Sequence, residues 1–171
     1  MEIKMIGVVG AGQMGGGIAE VAISSGLTVV MRDVTPEFVE RGKNRIASDL
    51  ERRVQKGKMT AEEQKAALGR LTTTTRLEDF KDCDLVIEAA SEQISIKREV
   101  FQALDTITRK EAILASNTSS ISITRIASFT KRPARVVGMH FFNPAPVMKL
   151  IELIRGMETS EETFKRPNRS A

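Results

Sequence analysis

The chain reads as an α/β protein built on a doubly wound, mostly parallel Rossmann-type sheet, and three observations predict it. A glycine-rich turn, Gly10-Ala11-Gly12-Gln13-Met14-Gly15, stands between a short apolar run and a helical pattern. An acid, Asp33, ends the next apolar run about 20 residues on. Apolar runs then alternate with amphipathic stretches along the rest of the sequence, the rhythm of strand–helix–strand units.

Ile3–Val9 is the first expected strand and Gln13 to Ser25 the first helix. Gly10 permits the tight turn between them, Gly12 lets backbone approach a pyrophosphate, and Gly15 with Gly17 lets the helix pack close on the strand. The free N–H groups at that helix start then bind phosphates. Leu27–Met31 is the second strand, and the Asp33 carboxylate just beyond it accepts hydrogen bonds from an adenosine ribose. An anion there repels a 2′-phosphate and favours NAD over NADP, while the neighbouring Arg32 guanidinium pulls the other way. The competing reading is a glycine turn without a ligand and a carboxylate that only ends a strand.

The charged stretch 37–70 is too long for one ordinary crossover. Gly57 and the capping signature Thr60-x-x-Glu63 split it into two helices, a helical hairpin projecting from the sheet. Leu85–Ile87, Ala112–Ala115, Arg135–Met139 and Lys149–Ile154 follow as strands, with helical patterns between most of them. Near the end, Thr159-Ser160-Glu161-Glu162 announces a helix that Pro167 interrupts almost at once, and 168–171 carry no pattern. Residues 1–166 are therefore expected as one domain and 167–171 as a tail, either frayed or marking a chain whose native continuation is missing; the capping signal favours the second.

At 171 residues, 41% hydrophobic and 28% charged, the chain suffices for one compact domain with a real core. A formal charge of +4 and a pI near 9.4 suit an acidic ligand, but without Tyr or Trp there is little platform for stacking bases, so a nucleic-acid partner is not expected. The single cysteine, Cys83, cannot form an internal disulfide, and the N-terminus has neither a basic leader nor a long apolar segment. A reducing cytoplasm is the expected location. No apolar run approaches the roughly 18 residues of a membrane span, so no membrane partner is expected, nor any metal.

His140, the only histidine, directly follows the apolar run Val136-Val137-Gly138-Met139 and so falls at the carboxyl end of an expected strand. Gly10, Asp33, Glu88 and the segment Ser116–Ser120 fall at comparable places, on the rim where open α/β sheets bind ligands. That shared rim favours a chemical role for His140 over a satisfied core histidine beside Phe141 and Phe142. The hydroxyls of Ser116–Ser120 either cap the following helix or face the ligand, and one serine can do each. Asn143-Pro144-Ala145-Pro146 is expected to form a rigid turn between two adjacent antiparallel strands, from which Glu152 reaches back to within hydrogen-bonding distance of His140.

Four segments carry a family resemblance: Gly10–Gly15, Val86-Ile87-Glu88-Ala89-Ala90, Ala115–Ser120, and above all His140-Phe141-Phe142-Asn143-Pro144-Ala145-Pro146-Val147-Met148-Lys149-Leu150. From about Ile3 to Arg166 the chain resembles the amino-terminal domain of L-3-hydroxyacyl-CoA dehydrogenases, closest to the bacterial 3-hydroxybutyryl-CoA type of fatty acid and butyrate metabolism. The resemblance implies NAD as cofactor, an acyl-CoA substrate, and a helical carboxyl-terminal domain beyond this chain that provides dimerisation and one wall of the acyl-CoA site. It implies that His140 is the catalytic acid/base, Glu152 its partner and Ser119 a donor to the substrate oxygen. The implied cofactor contacts are Gly10, Gly12, Gln13, Met14, Gly15, Asp33, Glu92, Lys97, Ser119 and Asn143, and Lys56 in the helical hairpin matches a position associated with CoA. Arg52 and Arg53 either add phosphate attraction or form a solvated basic face. The expected reaction is hydride transfer between NAD(H) and the L-3-hydroxyacyl-CoA/3-oxoacyl-CoA pair; the alternative is an NAD-binding module without turnover. Acyl-chain preference, the favoured direction and the oligomeric state are not legible in the sequence.

Overall fold

The computed structural model describes residues 2–148 and 150–167. Its strands are β1 (Met5–Val9), β2 (Thr28–Arg32), β3 (Leu71–Thr74), β4 (Leu85–Glu88), β5 (Ile113–Ser116), β6 (Val136–Phe141) and β7 (Ile151–Arg155). The helices are α1 (Gln13–Ser24), α2 (Pro36–Gln55), α3 (Ala61–Gly69), α4 (Ile94–Ile107), α5 (Ile123–Ala127), α6 (Ala145–Met148) and α7 (Glu161–Lys165). The strands form one sheet of order β3-β2-β1-β4-β5-β6-β7, in which β7 alone is antiparallel to its neighbour. Because β1 pairs with both β2 and β4, the winding reverses beside it, and a crevice opens beyond the carboxyl ends of those strands.

Both sheet faces are covered, which is why the central strands are continuous apolar runs rather than alternating ones. On one face Ile18 and Ile23 of α1 and Ile46 and Leu50 of α2 pack over Val8, Ile87 and Ala115. On the other, Phe80 with Phe101 and Leu104 of α4 packs over Val86, Leu114 and Val136.

The helical hairpin forms between β2 and β3: Gly57 turns with φ +70°, and the Thr60 hydroxyl accepts from the Glu63 N–H at 3.1 Å. Ile46, Leu50 and Ala67 on its inner side join the core, while most of its outer surface is exposed. The hairpin leads into β3, an edge strand of sequence Leu-Thr-Thr-Thr that periodicity does not announce, since it offers a single apolar residue.

Three local readings change. The close approach that Gly17 allows is to α6, where a Cβ would meet Ala145 Cβ and Pro146 Cδ at 3.4 Å, rather than to a strand. The connection from β6 to β7 contains the one-turn helix α6. The cap of α7 is Ser160, whose hydroxyl accepts from the Thr163 N–H, because Thr159 is drawn inward to donate to the Val136 carbonyl at 2.7 Å. Of the segments read above, Lys149 and the terminal residues 168–171 lie outside the described residues. No described helix is long and apolar enough to cross a membrane.

A groove of about 430 Å³ runs between α1 and the β6–β7 end of the sheet, lined by Met139, Phe141, Ala145 and Ile151 and by the charged Glu20 and Arg53. Glu20 is 2% exposed and makes no hydrogen bond among the described residues. Burial pushes its carboxyl above the usual range, although Arg53 and Arg52 oppose the shift. A raised folded-state value means that the carboxyl's contribution to stability is present in acid and is lost as pH climbs above 4.5. Glu20→Gln is therefore expected to raise the midpoint of thermal unfolding by about 2–4 °C at pH 8, as a gain of about 1 kcal/mol would, and to change it little near pH 4. A lower midpoint for the variant at pH 8 would show that Glu20 is satisfied as a carboxylate.

Candidate active site

The turn after β1 is built for close backbone approach. Gly10 has φ +113° and donates its N–H to the Arg32 carbonyl at 2.7 Å, and a Cβ at Gly15 would lie 1.9 Å from the Gly10 oxygen. A Cβ at Gly12 would meet nothing within 4 Å, so the space above the turn is open. Gly12 caps α1 without a side-chain hydrogen bond, and the first turn holds no acid. The positive end of the helix and its unpaired N–H groups thus face the crevice, as a pyrophosphate requires.

Asp33 stands one strand away, and its Oδ2 accepts from the Ala11 N–H at 2.8 Å while Oδ1 accepts from the Val34 N–H at 2.7 Å. The carboxylate thereby pins the glycine turn, and its remaining lone pairs are free to accept from a ribose. The neighbouring Arg32 donates from Nε to the Thr75 carbonyl at 3.1 Å, just beyond β3.

Beyond β4 and β5 the rim is tied by two carboxylates. Glu88 is buried at the end of β4, with Oε1 accepting from Lys97 Nζ at 2.6 Å and the Ser116 hydroxyl at 2.8 Å, and Oε2 accepting from the Ala90 N–H at 2.9 Å. Lys97 is equally enclosed, its side chain 2% exposed, so its ammonium is turned to Glu88 from within the fold. Exposed Glu92 takes the Thr118 hydroxyl at 2.8 Å and the Ser120 hydroxyl at 2.9 Å. Ser119 lies between those two anchored residues, exposed and with no side-chain hydrogen bond among the described residues. The helix-cap reading of this segment is not realised, because Ser122 caps α5.

His140 follows on β6, half-buried, with its ring 4.9 Å from that of Phe142 in an edge-on arrangement. It is directly opposite Glu152 in the antiparallel β6–β7 register, so the two side chains stand on one face of the sheet. No side-chain hydrogen bond joins them among the described residues. Asn143, exposed in the loop after β6, accepts at Oδ1 from Gln13 Nε2 at 3.3 Å and so joins the His140 side of the rim to the start of α1. The fold therefore brings Gly10–Gly15, Asp33, Glu92, Ser119, His140 and Asn143 to one rim. It leaves Lys56 apart: exposed, and at the far end of the 20-residue α2, about 30 Å along the helix from the Asp33 end.

Residues 5–170 match the family model described as 3-hydroxyacyl-CoA dehydrogenase, NAD binding domain. The chain is 49% identical over 163 residues to a 3-hydroxybutyryl-CoA dehydrogenase of Bradyrhizobium diazoefficiens, covering 95% of this chain and 56% of that protein. It is 44% identical over 166 residues to a 3-hydroxyadipyl-CoA dehydrogenase of Escherichia coli, covering 97% of this chain and 35% of that one. Among solved structures, an (S)-3-hydroxybutyryl-CoA dehydrogenase from Ralstonia eutropha superposes with a TM-score of 0.96 at 44% identity, over 99% of this chain and 61% of the other. The chain thus spans less than two thirds of the length of each of these relatives.

Proposed function

Because the chain belongs to the 3-hydroxyacyl-CoA dehydrogenase family, as its NAD binding domain, we propose that it serves NAD-dependent interconversion of L-3-hydroxyacyl-CoA and 3-oxoacyl-CoA, with 3-hydroxybutyryl-CoA and acetoacetyl-CoA as the reacting pair. The observation that carries this reading is the single rim that joins an open glycine turn, Asp33, a free Ser119 hydroxyl and the only histidine of the chain.

Gly10, Gly12 and the first N–H groups of α1 would hold the pyrophosphate, and Asp33 the adenosine ribose. When bound there, NAD would supply the hydride chemistry, as acceptor in oxidation and, reduced, as donor in the reverse direction. In oxidation the neutral His140 imidazole removes the substrate hydroxyl proton; in reduction the imidazolium gives it back. Ser119 donates to the reacting oxygen and so holds charge where it develops, a positioning and electrostatic role rather than nucleophilic attack. Glu152, opposite His140, orients the ring once the site is assembled. Glu92, Lys97 and Asn143 support the cofactor side of the rim, and Lys56 with Arg52 and Arg53 offers positive charge to CoA phosphates. The family's dimerisation is proposed to belong to the portion that the relatives carry beyond this chain.

The test pairs binding with turnover. NADH titration is expected to give an affinity at least about tenfold above that for NADPH, since a 2′-phosphate facing Asp33 costs at least about 1.4 kcal/mol. Oxidation of NADH at 340 nm should require acetoacetyl-CoA, and should be faster by about 10²–10³ when the chain is joined to the portion its relatives carry beyond it, because a positioned contact to the reacting oxygen is worth that much. Binding without acyl-CoA-dependent oxidation in both forms would favour the second reading, a nucleotide-binding module; equal affinity for NADPH would remove Asp33 from its role.

A further inference from the structure

Strands β5 and β6 separate before the site is reached. Their parallel ladder ends at the pair Ser116 and Gly138, yet β6 runs on through Met139 and His140 to Phe141 with partners on the β7 side only. The Phe141 N–H, which β6 turns toward β5, lies beyond the end of that ladder, where β5 offers no further carbonyl, and an unmet donor there is costly. One side chain takes over. The Phe141 N–H donates to Asn117 Oδ1 at 2.8 Å. Asn117 is itself fixed, half-buried, by its own N–H, which donates to the Glu88 carbonyl at 2.8 Å. The residue thus bridges the ends of β4 and β6 from the loop that also carries Ser119 two positions on.

We infer that Asn117 is a positioning residue: its amide oxygen substitutes for the missing strand, fixes the end of β6, and so sets the His140 imidazole relative to Ser119. The inference rests on the reading of His140 and Ser119 as the acid/base and the oxygen donor. An asparagine suits the task because it supplies an acceptor at the reach of one extra backbone unit and no charge beside the histidine. Serine is too short to reach, and leucine has the volume without the acceptor. Aspartate keeps both the shape and the acceptor.

Since the chain has one histidine, its ring gives a single, unambiguous set of imidazole NMR signals, and Phe141 reports the bond itself through amide exchange. In Asn117→Leu the Phe141 amide is expected to exchange at least about tenfold faster, the loss that about 1.4 kcal/mol of hydrogen bond implies. The His140 ring signals should move or split, with the Val137 amide of the same strand still slow. Asn117→Asp should restore slow exchange at Phe141. If Asn117→Leu does not fold, Asn117→Ser carries the same expectation. Unchanged Phe141 exchange with unmoved His140 signals in the Leu or Ser variant would overturn the inference, as would equally fast exchange in Asn117→Asp. These readings need no substrate, so a failure of acyl-CoA-dependent NADH oxidation would fall on the functional reading alone.

Discussion

Replacing His140 by glutamine is expected to lower acyl-CoA-dependent NADH oxidation by about 10²–10⁴-fold while leaving NADH affinity essentially unchanged. The size follows from removing the imidazole to which the proton transfer is assigned; the selectivity follows from where the residue sits. His140 is reached from β6 and β7, whereas the phosphate turn and Asp33 belong to β1 and β2. Glutamine preserves a hydrogen-bonding side chain of similar size, so the half-buried site at the end of β6 need not collapse. Glu152→Gln is expected to cost less, because the two side chains share a face without a bond between them, and contact of that kind tightens only when substrate is present. Steady-state rates measured on the chain joined to the portion its relatives carry, with cofactor titrations alongside, decide the matter. A His140→Gln variant that loses NADH affinity together with rate would make the histidine a structural residue, and one that keeps its rate would remove it from the chemistry.

Much of this arrangement is legible in the sequence, and the reasons are local. Gly10, Gly12 and Gly15 declare a turn that only glycine permits, and Asp33 declares its partner by spacing. Thr60 and Glu63 fix the start of α3 through one hydrogen bond between near neighbours. The register that sets His140 opposite Glu152 was legible because a short proline-rich connection leaves two strands little choice but to lie side by side, whereas the hydrogen bond expected between the two side chains is not formed among the described residues. What stayed hidden depends on contacts distant in sequence. β3 has no amphipathic period and becomes a strand only because β2 offers an edge. Ser122, not Ser116–Ser120, caps α5, while the Ser116 hydroxyl is claimed by Glu88 and those of Thr118 and Ser120 by Glu92 across the rim. Lys97 shows the same effect: its place on an amphipathic helix says nothing of a buried carboxylate at the end of β4.

That buried pair carries the second large expectation, that Lys97→Met destabilises the fold by about 3–5 kcal/mol. Lys97 Nζ lies 2.6 Å from Glu88 Oε1, with side-chain exposures of 2% and 1%. Removing the ammonium leaves a carboxylate enclosed in the protein with one hydroxyl and one backbone N–H as its remaining donors, from Ser116 and Ala90. Those bonds offset part of the desolvation cost but supply no counter-charge. For a domain of this length the loss corresponds to roughly 6–20 °C in the unfolding midpoint, a large share of a typical total stability of about 5–15 kcal/mol. The charge, not the lost volume, should dominate, since methionine fills nearly the same space. The double variant Glu88→Gln with Lys97→Met is therefore expected to recover most of the lost midpoint: it removes both charges, while the single glutamine oxygen still accepts from the Ala90 N–H and its NH2 donates to the Ser116 hydroxyl, which turns to accept. Thermal unfolding of the single and double variants at neutral pH is the measurement. If Lys97→Met melted within about 2 °C of the parent, less than 1 kcal/mol would be at stake, and the ion pair could not be what holds the ends of β4 and β5 in place beneath Ser119. If instead the double variant melted as low as the single one, packing around Lys97 rather than the uncompensated Glu88 charge would be the cause.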